Sequence, residues 1–218
     1  MLTEQKSGEN SIQYLYMNNG ILLLTSTGLS GKAVSDKLKS IVSDPKNSSV
    51  AIITTAAEGK ENNKYSQLAK KQLEEMGFVR IDFVDLERDP NKDFSFYGII
   101  YVCGGNTFKL LKFTREADFK TSVENFLKRK GIYIGVSAGS IIVGPSIQIT
   151  AEIKPDKNEV GLKDLTGFGI TDLIIMPHYS LEMEGGIVAF ENKYGVKVER
   201  INNSQAILIE NGQKTLIE

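Results

Sequence analysis

A serine set between two glycines, Gly135-Val136-Ser137-Ala138-Gly139, is half of a reaction centre, and the other half must be a base. A serine hydroxyl is a poor nucleophile until a neighbouring group takes its proton. If that group is a histidine, only His178 can supply it, because the chain has one histidine. The run before the serine, Gly131-Ile132-Tyr133-Ile134, is short, apolar and β-branched and reads as a buried strand. Ser140-Ile141-Ile142-Val143 after it reads as the start of a buried helix. A serine at such a strand-to-helix turn fits the nucleophile-elbow pattern. The glycines permit a tight turn and close backbone approach. Ser137 would then stand at the carboxyl end of its strand, with the Ala138 N–H free to face an oxyanion. His178 follows Leu173-Ile174-Ile175-Met176-Pro177, a second strand-like run. Catalytic groups in open α/β sheets gather where strands end. The bland alternatives are a chance G-x-S-x-G and a histidine that merely satisfies the core.

A second glycine turn, Val102-Cys103-Gly104-Gly105-Asn106-Thr107, also lies between a strand and a helix. Such a turn exposes backbone N–H groups beside a helix N-terminus and suits an anion. Neither phosphate-loop spacing nor the dinucleotide-binding glycine pattern is present. Cys103 reads as a small buried residue rather than a nucleophile.

The elements that must position these groups alternate along the chain. Strands are expected at Ile21–Thr25, Val50–Thr54, Val79–Val84 and Gly98–Val102. Helices are expected at Lys32–Val42, at Tyr65–Met76 closed by Gly77, at Thr107–Phe113, and at Asp118–Lys130 closed by Gly131. Ala206–Glu210 and Lys214–Ile217, joined by Asn211-Gly212, predict a hairpin. Continuous apolar strands between amphipathic helices argue for a three-layer α/β fold, a mainly parallel sheet covered on both faces. Residues 1–19 are polar and unpatterned and read as a loose extension; residues 20–218 read as a single α/β domain. Glu152 to Gly169 is rich in charge and glycine and reads as a surface loop near the elbow.

Charge is nearly balanced, with 26 basic and 27 acidic residues, so nucleic acid and anionic membranes are not expected partners. One cysteine rules out an intrachain disulfide framework and suggests a reducing, cytoplasmic setting. No apolar run reaches the ~20 residues of a membrane span, and the N-terminus lacks a secretory pattern. One histidine and one cysteine make a poor ligand set, so neither metal nor cofactor is expected.

Tyr101-Val102-Cys103-Gly104-Gly105-Asn106-Thr107-Phe108-Lys109-Leu110-Leu111, Tyr133-Ile134-Gly135-Val136-Ser137-Ala138-Gly139 and Met176-Pro177-His178-Tyr179 together resemble the dipeptidase E group of serine peptidases, relatives of cyanophycinase. Order and spacing match, and the likeness runs from about Ile21 to about Ile209. The resemblance implies a flavodoxin-like, class I glutamine-amidotransferase-like fold and cleavage of short peptides, in one branch dipeptides with an N-terminal aspartate. It implies Ser137 as nucleophile, His178 as base, and the N–H groups of Gly105 and Ala138 as oxyanion hole.

Two departures from the family pattern stand out. The family carries an acid after the nucleophile, in a Thr-Thr-Asn-Asp segment; here Thr150-Ala151-Glu152 puts Glu152 in that place. It also has a glutamate in a Pro-Glu-Gly-Asn run, assigned to orienting the histidine. Here that region reads Ile201-Asn202-Asn203-Ser204-Gln205, with Asn203 in the glutamate's place. Glu152 is therefore a candidate third catalytic residue, and Asn203 the competing histidine-orienting one. Glu182 and Glu184 are weaker candidates that read as solvated loop charges. The aspartyl-specific branch holds its substrate carboxylate with an arginine downstream of the histidine; Lys193 lies close to that place and supplies a point charge rather than a fork. Asn106 is a further candidate for substrate binding. The expectation is a serine hydrolase acting on a short peptide or isopeptide-linked substrate, monomeric or homodimeric. The alternative is a weak or silent relative that binds a peptide or small ligand in the same cleft.

Overall fold

The computed structural model describes residues 20–153 and 155–218. The expected N-terminal extension, residues 1–19, lies outside them. The strands are β1 (Ile21–Thr25), β2 (Ser49–Ile53), β3 (Arg80–Val84), β4 (Ile99–Val102), β5 (Ile132–Val136), β6 (Ile174–Met176), β7 (Val198–Arg200), β8 (Ala206–Glu210) and β9 (Gln213–Ile217). The α-helices are α1 (Lys32–Ile41), α2 (Lys64–Glu75), α3 (Thr107–Glu116), α4 (Phe119–Lys128), α5 (Ala138–Ile141), α6 (Gln148–Glu152) and α7 (Glu184–Tyr194).

Seven strands form the main sheet in the order β3-β2-β4-β5-β1-β8-β9. β3, β2, β4, β5 and β1 run parallel, and β8 and β9 add an antiparallel edge. Alternate strand side chains point to opposite faces. Leu22, Leu24, Ile53, Val102 and Tyr133 face a layer built on Leu110, Leu111, Phe119, Val123 and Phe126 of α3 and α4. Leu23, Ile52, Tyr101 and Ile134 face Val34 and Leu38 of α1 and Ala69 and Leu73 of α2. Burial on both faces is why these strands read as unbroken apolar runs. No helix among the described residues is long and apolar enough to cross a membrane.

Local chemistry sets the boundaries. Asn63 caps α2 by accepting the Tyr65 N–H at 2.8 Å. At its other end Gly77 takes φ +98°, and the N–H groups of Gly77 and Phe78 return to the carbonyls of Glu74 and Leu73, a Schellman closure. Asn211 and Gly212 both have positive φ, as a two-residue hairpin turn requires.

Three elements differ from expectation. The left-handed residue after α4 is Lys130 (φ +65°), not Gly131. Gly131 is needed for packing instead, since a Cβ there would stand 2.4 Å from the Phe126 ring. The helix after the elbow is a single turn, because the segment 168–171 donates to the carbonyls of Ile142, Val143 and Gly144 and ends it. β6 is not in the main sheet; it pairs only with β7, in parallel, in a separate two-stranded sheet.

Candidate active site

Ser137 follows β5 with φ 50° and ψ −109°, a sparsely populated conformation for a residue with a side chain. Several contacts hold it there. Ser137 N–H donates to the Thr25 carbonyl at 3.0 Å, and Ser140 Oγ donates to the same carbonyl at 2.8 Å. Thr25 Oγ1 donates to the Gly135 carbonyl at 2.8 Å, and the buried Tyr133 hydroxyl donates to the Gly139 carbonyl at 2.7 Å. Both elbow glycines are sterically required: a Cβ would stand 2.6 Å from the Gly139 oxygen at Gly135 and 2.5 Å from the Val102 oxygen at Gly139.

His178 arrives from the small sheet. Met176 pairs with Arg200 in parallel register, so the residues just beyond both strands emerge at the same end. The Ile201 N–H donates to the Met176 carbonyl and the Tyr179 N–H to the Ile201 carbonyl, each at 3.1 Å. His178 itself has φ +55°, held by its N–H donating to Ser26 Oγ at 2.8 Å. Its Nε2 lies 3.0 Å from Ser137 Oγ, and its Nδ1 lies 2.8 Å from Asn203 Oδ1. Asn203 Oδ1 can only accept, so Nδ1 carries the proton and Nε2 presents a lone pair to the serine. Ser26 Oγ donates to Asn203 Oδ1 at 3.2 Å, and Thr27 Oγ1 donates to the Asn203 carbonyl at 2.6 Å. Ser26 was not identified from sequence. Its signal was its place just after β1, beside the elbow strand.

Gly104 and Gly105 follow β4, the neighbour of β5. A Cβ at Gly104 would sit 3.2 Å from the Ser137 Cβ, so this turn lies against Ser137. Gly105 has φ +138°, and a Cβ there would stand 2.1 Å from the Ala56 oxygen. Neither the Gly105 N–H nor the Ala138 N–H has a hydrogen-bond partner among the described residues.

Other sequence candidates lie elsewhere. Glu152 ends α6 with its carboxylate on Lys193 Nζ at 3.0 and 3.2 Å, Gln148 Nε2 at 2.8 Å and the Tyr194 hydroxyl. The Tyr194 hydroxyl, with Gln148 and Lys193, holds that carboxyl below its ordinary range. Glu152 does not reach His178, whose Nδ1 is taken by Asn203 and Ser26. Lys193 is spent on Glu152. Asn106 caps α3, accepting the Lys109 N–H at 2.9 Å and donating to the Lys157 carbonyl at 2.7 Å, so its side chain is not on the cleft. Glu184 is not a free loop charge: it accepts from Tyr179 Oη at 2.9 Å and pairs with Arg200. Arg200 is saturated by Glu184 and Glu191. Cys103 is buried, and burial pushes its thiol up to about 11, the opposite of an activated nucleophile. Among the described residues no three His, Cys, Asp or Glu side chains converge on one point as a metal site would need.

Ser137, His178, Asn203, Gly104 and Gly105 open onto a cleft of about 570 Å³. Its far wall comes from the start of α2 and the loop before it, through Glu58, Asn63, Tyr65 and Leu68.

The model of peptidase family S51 matches residues 21–217. The chain belongs to this family. It is 30% identical to peptidase E of Salmonella paratyphi A over 171 residues, 76% of this chain and 71% of that one. It is 28% identical over 178 residues to an uncharacterised peptidase of Pasteurella multocida (strain Pm70), covering 78% and 85% of the two chains. In three dimensions it resembles a peptidase E protein of Listeria monocytogenes EGD-e, known from a 1.5 Å crystal structure. That match has a TM-score of 0.75 at 24% identity and covers 91% of this chain and 98% of that one. A peptidase from an acI-B1 actinobacterium matches with a TM-score of 0.63 at 18% identity, over 94% and 96%. Family S51 membership bears out the resemblance to the dipeptidase E group, and the parallel sheet with helices on both faces is the fold of that group.

Proposed function

We propose that this family S51 chain is a serine peptidase that hydrolyses short peptides through an acyl-enzyme. The observation that carries the reading is the hydrogen-bonded series Ser137 Oγ, His178 Nε2, His178 Nδ1, Asn203 Oδ1, opening onto a cleft. Ser137 Oγ attacks the peptide carbonyl as its proton passes to His178 Nε2. The carbonyl oxygen becomes an oxyanion facing the unpartnered N–H groups of Gly105 and Ala138. The C–N bond breaks as Nε2 returns that proton to the leaving amine. Water then attacks the ester with Nε2 as base, and collapse frees the carboxylic acid and restores the Ser137 hydroxyl. Asn203 fixes the tautomer and ring orientation but, being neutral, does not stabilise the imidazolium as a carboxylate does. Replacing the aspartate by asparagine in a chymotrypsin-type triad costs about 10⁴ in turnover through the wrong imidazole tautomer; here the accepting Asn203 Oδ1 keeps the right tautomer and only the charge is missing. A slow enzyme is therefore the expected result.

Ser137→Ala should keep the fold and lose both fluorophosphonate labelling and hydrolysis of a dipeptide library. Loss of the serine nucleophile in subtilisin costs on the order of 10⁶. Near-normal hydrolysis in Ser137→Ala would overturn the assignment. Absence of labelling and of turnover in the unmodified protein would favour the silent-relative reading, which the neutral Asn203 already supports.

A further inference from the structure

The cleft wall carries one carboxylate, Glu58, and no lysine or arginine is among its lining residues. Glu58 lies on the loop between β2 and α2 and is exposed. Its carboxylate has no partner among the described residues, unlike Asp85, Glu87, Glu152, Glu184 and Glu191. The cations near this wall are committed elsewhere. Lys60 bonds Asp85 and Glu87, and Lys64 sits 4.9 Å over the Tyr65 ring. The cleft floor holds a second group without a partner. Tyr101 is 4% exposed, yet its hydroxyl makes no hydrogen bond among the described residues. That phenol lies against Gly28, where a Cβ would stand 2.2 Å from the oxygen. Burial raises its pKa, so it stays a neutral donor and acceptor. Beside it the floor is uncharged, built from Ser66, Cys103 and Val136.

We propose that the cleft binds an ammonium group of its substrate against Glu58, with an uncharged part of the substrate on the Tyr101 floor, and that it discriminates against an acidic side chain. The proposal rests on the reading of this cleft as the peptide site. The ammonium can come from the peptide's own N-terminus or from a lysyl-type side chain. Either meets a carboxylate with no competing partner among the described residues, and at low salt such an exposed pair is screened least.

The experiment measures binding, so it does not depend on turnover. Ser137→Ala protein is titrated calorimetrically at low salt with Ala-Leu, acetyl-Ala-Leu, acetyl-Lys-Leu and Asp-Leu. At least one of Ala-Leu and acetyl-Lys-Leu should bind about two- to fivefold tighter than acetyl-Ala-Leu, a gap in the range of a single exposed ion pair. Ala-Leu as the better ligand identifies the N-terminal amine, acetyl-Lys-Leu the side chain. Asp-Leu should bind more weakly than Ala-Leu. Glu58→Gln on the same background, an exposed and near-isosteric change, should close the gap. Equal binding of acetyl-Ala-Leu, a gap that survives Glu58→Gln, tighter binding of Asp-Leu than Ala-Leu, or no binding of any of the four would each overturn the proposal. Fluorophosphonate labelling of unmodified Ser137 is the separate readout for the hydrolase reading, so the two can fail independently.

Discussion

Asn203 is the residue at which this chain departs most from a complete triad. Its Oδ1 accepts from His178 Nδ1 at 2.8 Å and from Ser26 at 3.2 Å, so the geometry of a triad is present without its charge. Asn203→Asp keeps size and shape and leaves both donors a suitable acceptor. Turnover should rise about tenfold or more, because a carboxylate stabilises the imidazolium that forms on His178. Asn203→Leu, which cannot accept from Nδ1, should fall well below the unmodified protein. Steady-state rates on one dipeptide decide it, and a slower Asn203→Asp enzyme would mean that Asn203 does not act through His178. Ser137 and His178 were legible in the sequence because a serine between glycines and a single histidine leave few pairings. Asn203 was legible only through resemblance, since an asparagine in a loop carries no chemical signature. Ser26, Glu58 and Tyr101 were not legible. They reach the cleft through backbone proximity and the absence of a partner, and no spacing rule encodes either.

At the scale of elements, periodicity was enough for most of the sheet. Strands such as β2 and β4 are buried on both sides, and only unbroken apolar runs satisfy that. The placement of β6 was not readable, because a three-residue apolar strand looks the same in a large sheet or a small one. What decides it is the pairing of Met176 with Arg200, a contact between distant segments. The glycines show the same division. At Gly139 a Cβ would stand 2.5 Å from the Val102 oxygen, backbone that cannot yield without moving β4 away from the elbow. Gly139→Ala should destabilise the fold by about 1–3 kcal/mol, as overpacking does, and should abolish fluorophosphonate labelling. At Gly185, inside α7, an added Cβ meets nothing within 4 Å. Gly185→Ala should stabilise the protein by up to about 1 kcal/mol, since alanine is the better helix former. Urea midpoints for the two variants give the comparison; equal shifts in both would show that the elbow packing is not the constraint described.

For the whole molecule, the interior fixes how stability responds to alkali. Burial holds the Cys103 thiol up at about 11 against an ordinary value of 9.0, and it raises Tyr101 and Tyr133 as well. All three are neutral in the folded protein and ionise more readily once unfolded. A pKa raised on folding contributes stability that is fully present below the unfolded value and is lost as pH rises through the folded one. For Cys103 that window runs from about pH 9 to about pH 11, and a shift of this size corresponds to about 3 kcal/mol. The urea midpoint should therefore fall steeply between pH 9 and pH 11, and part of the fall should vanish in Cys103→Ala, leaving the tyrosine share. The same burial makes the thiol a reporter of global opening. At pH 8, iodoacetamide should alkylate Cys103 slowly in the native protein and speed up only as urea populates the unfolded chain. The cleft touches Cys103, so what protects the sulfur is its thiol form: burial raises its pKa and outweighs the Ser66 Oγ contact at 3.7 Å, which lowers it. Rapid native alkylation at pH 8, insensitive to urea, would mean that the floor of the cleft stabilises a thiolate. That result would contradict the neutral character assigned to the Tyr101 floor.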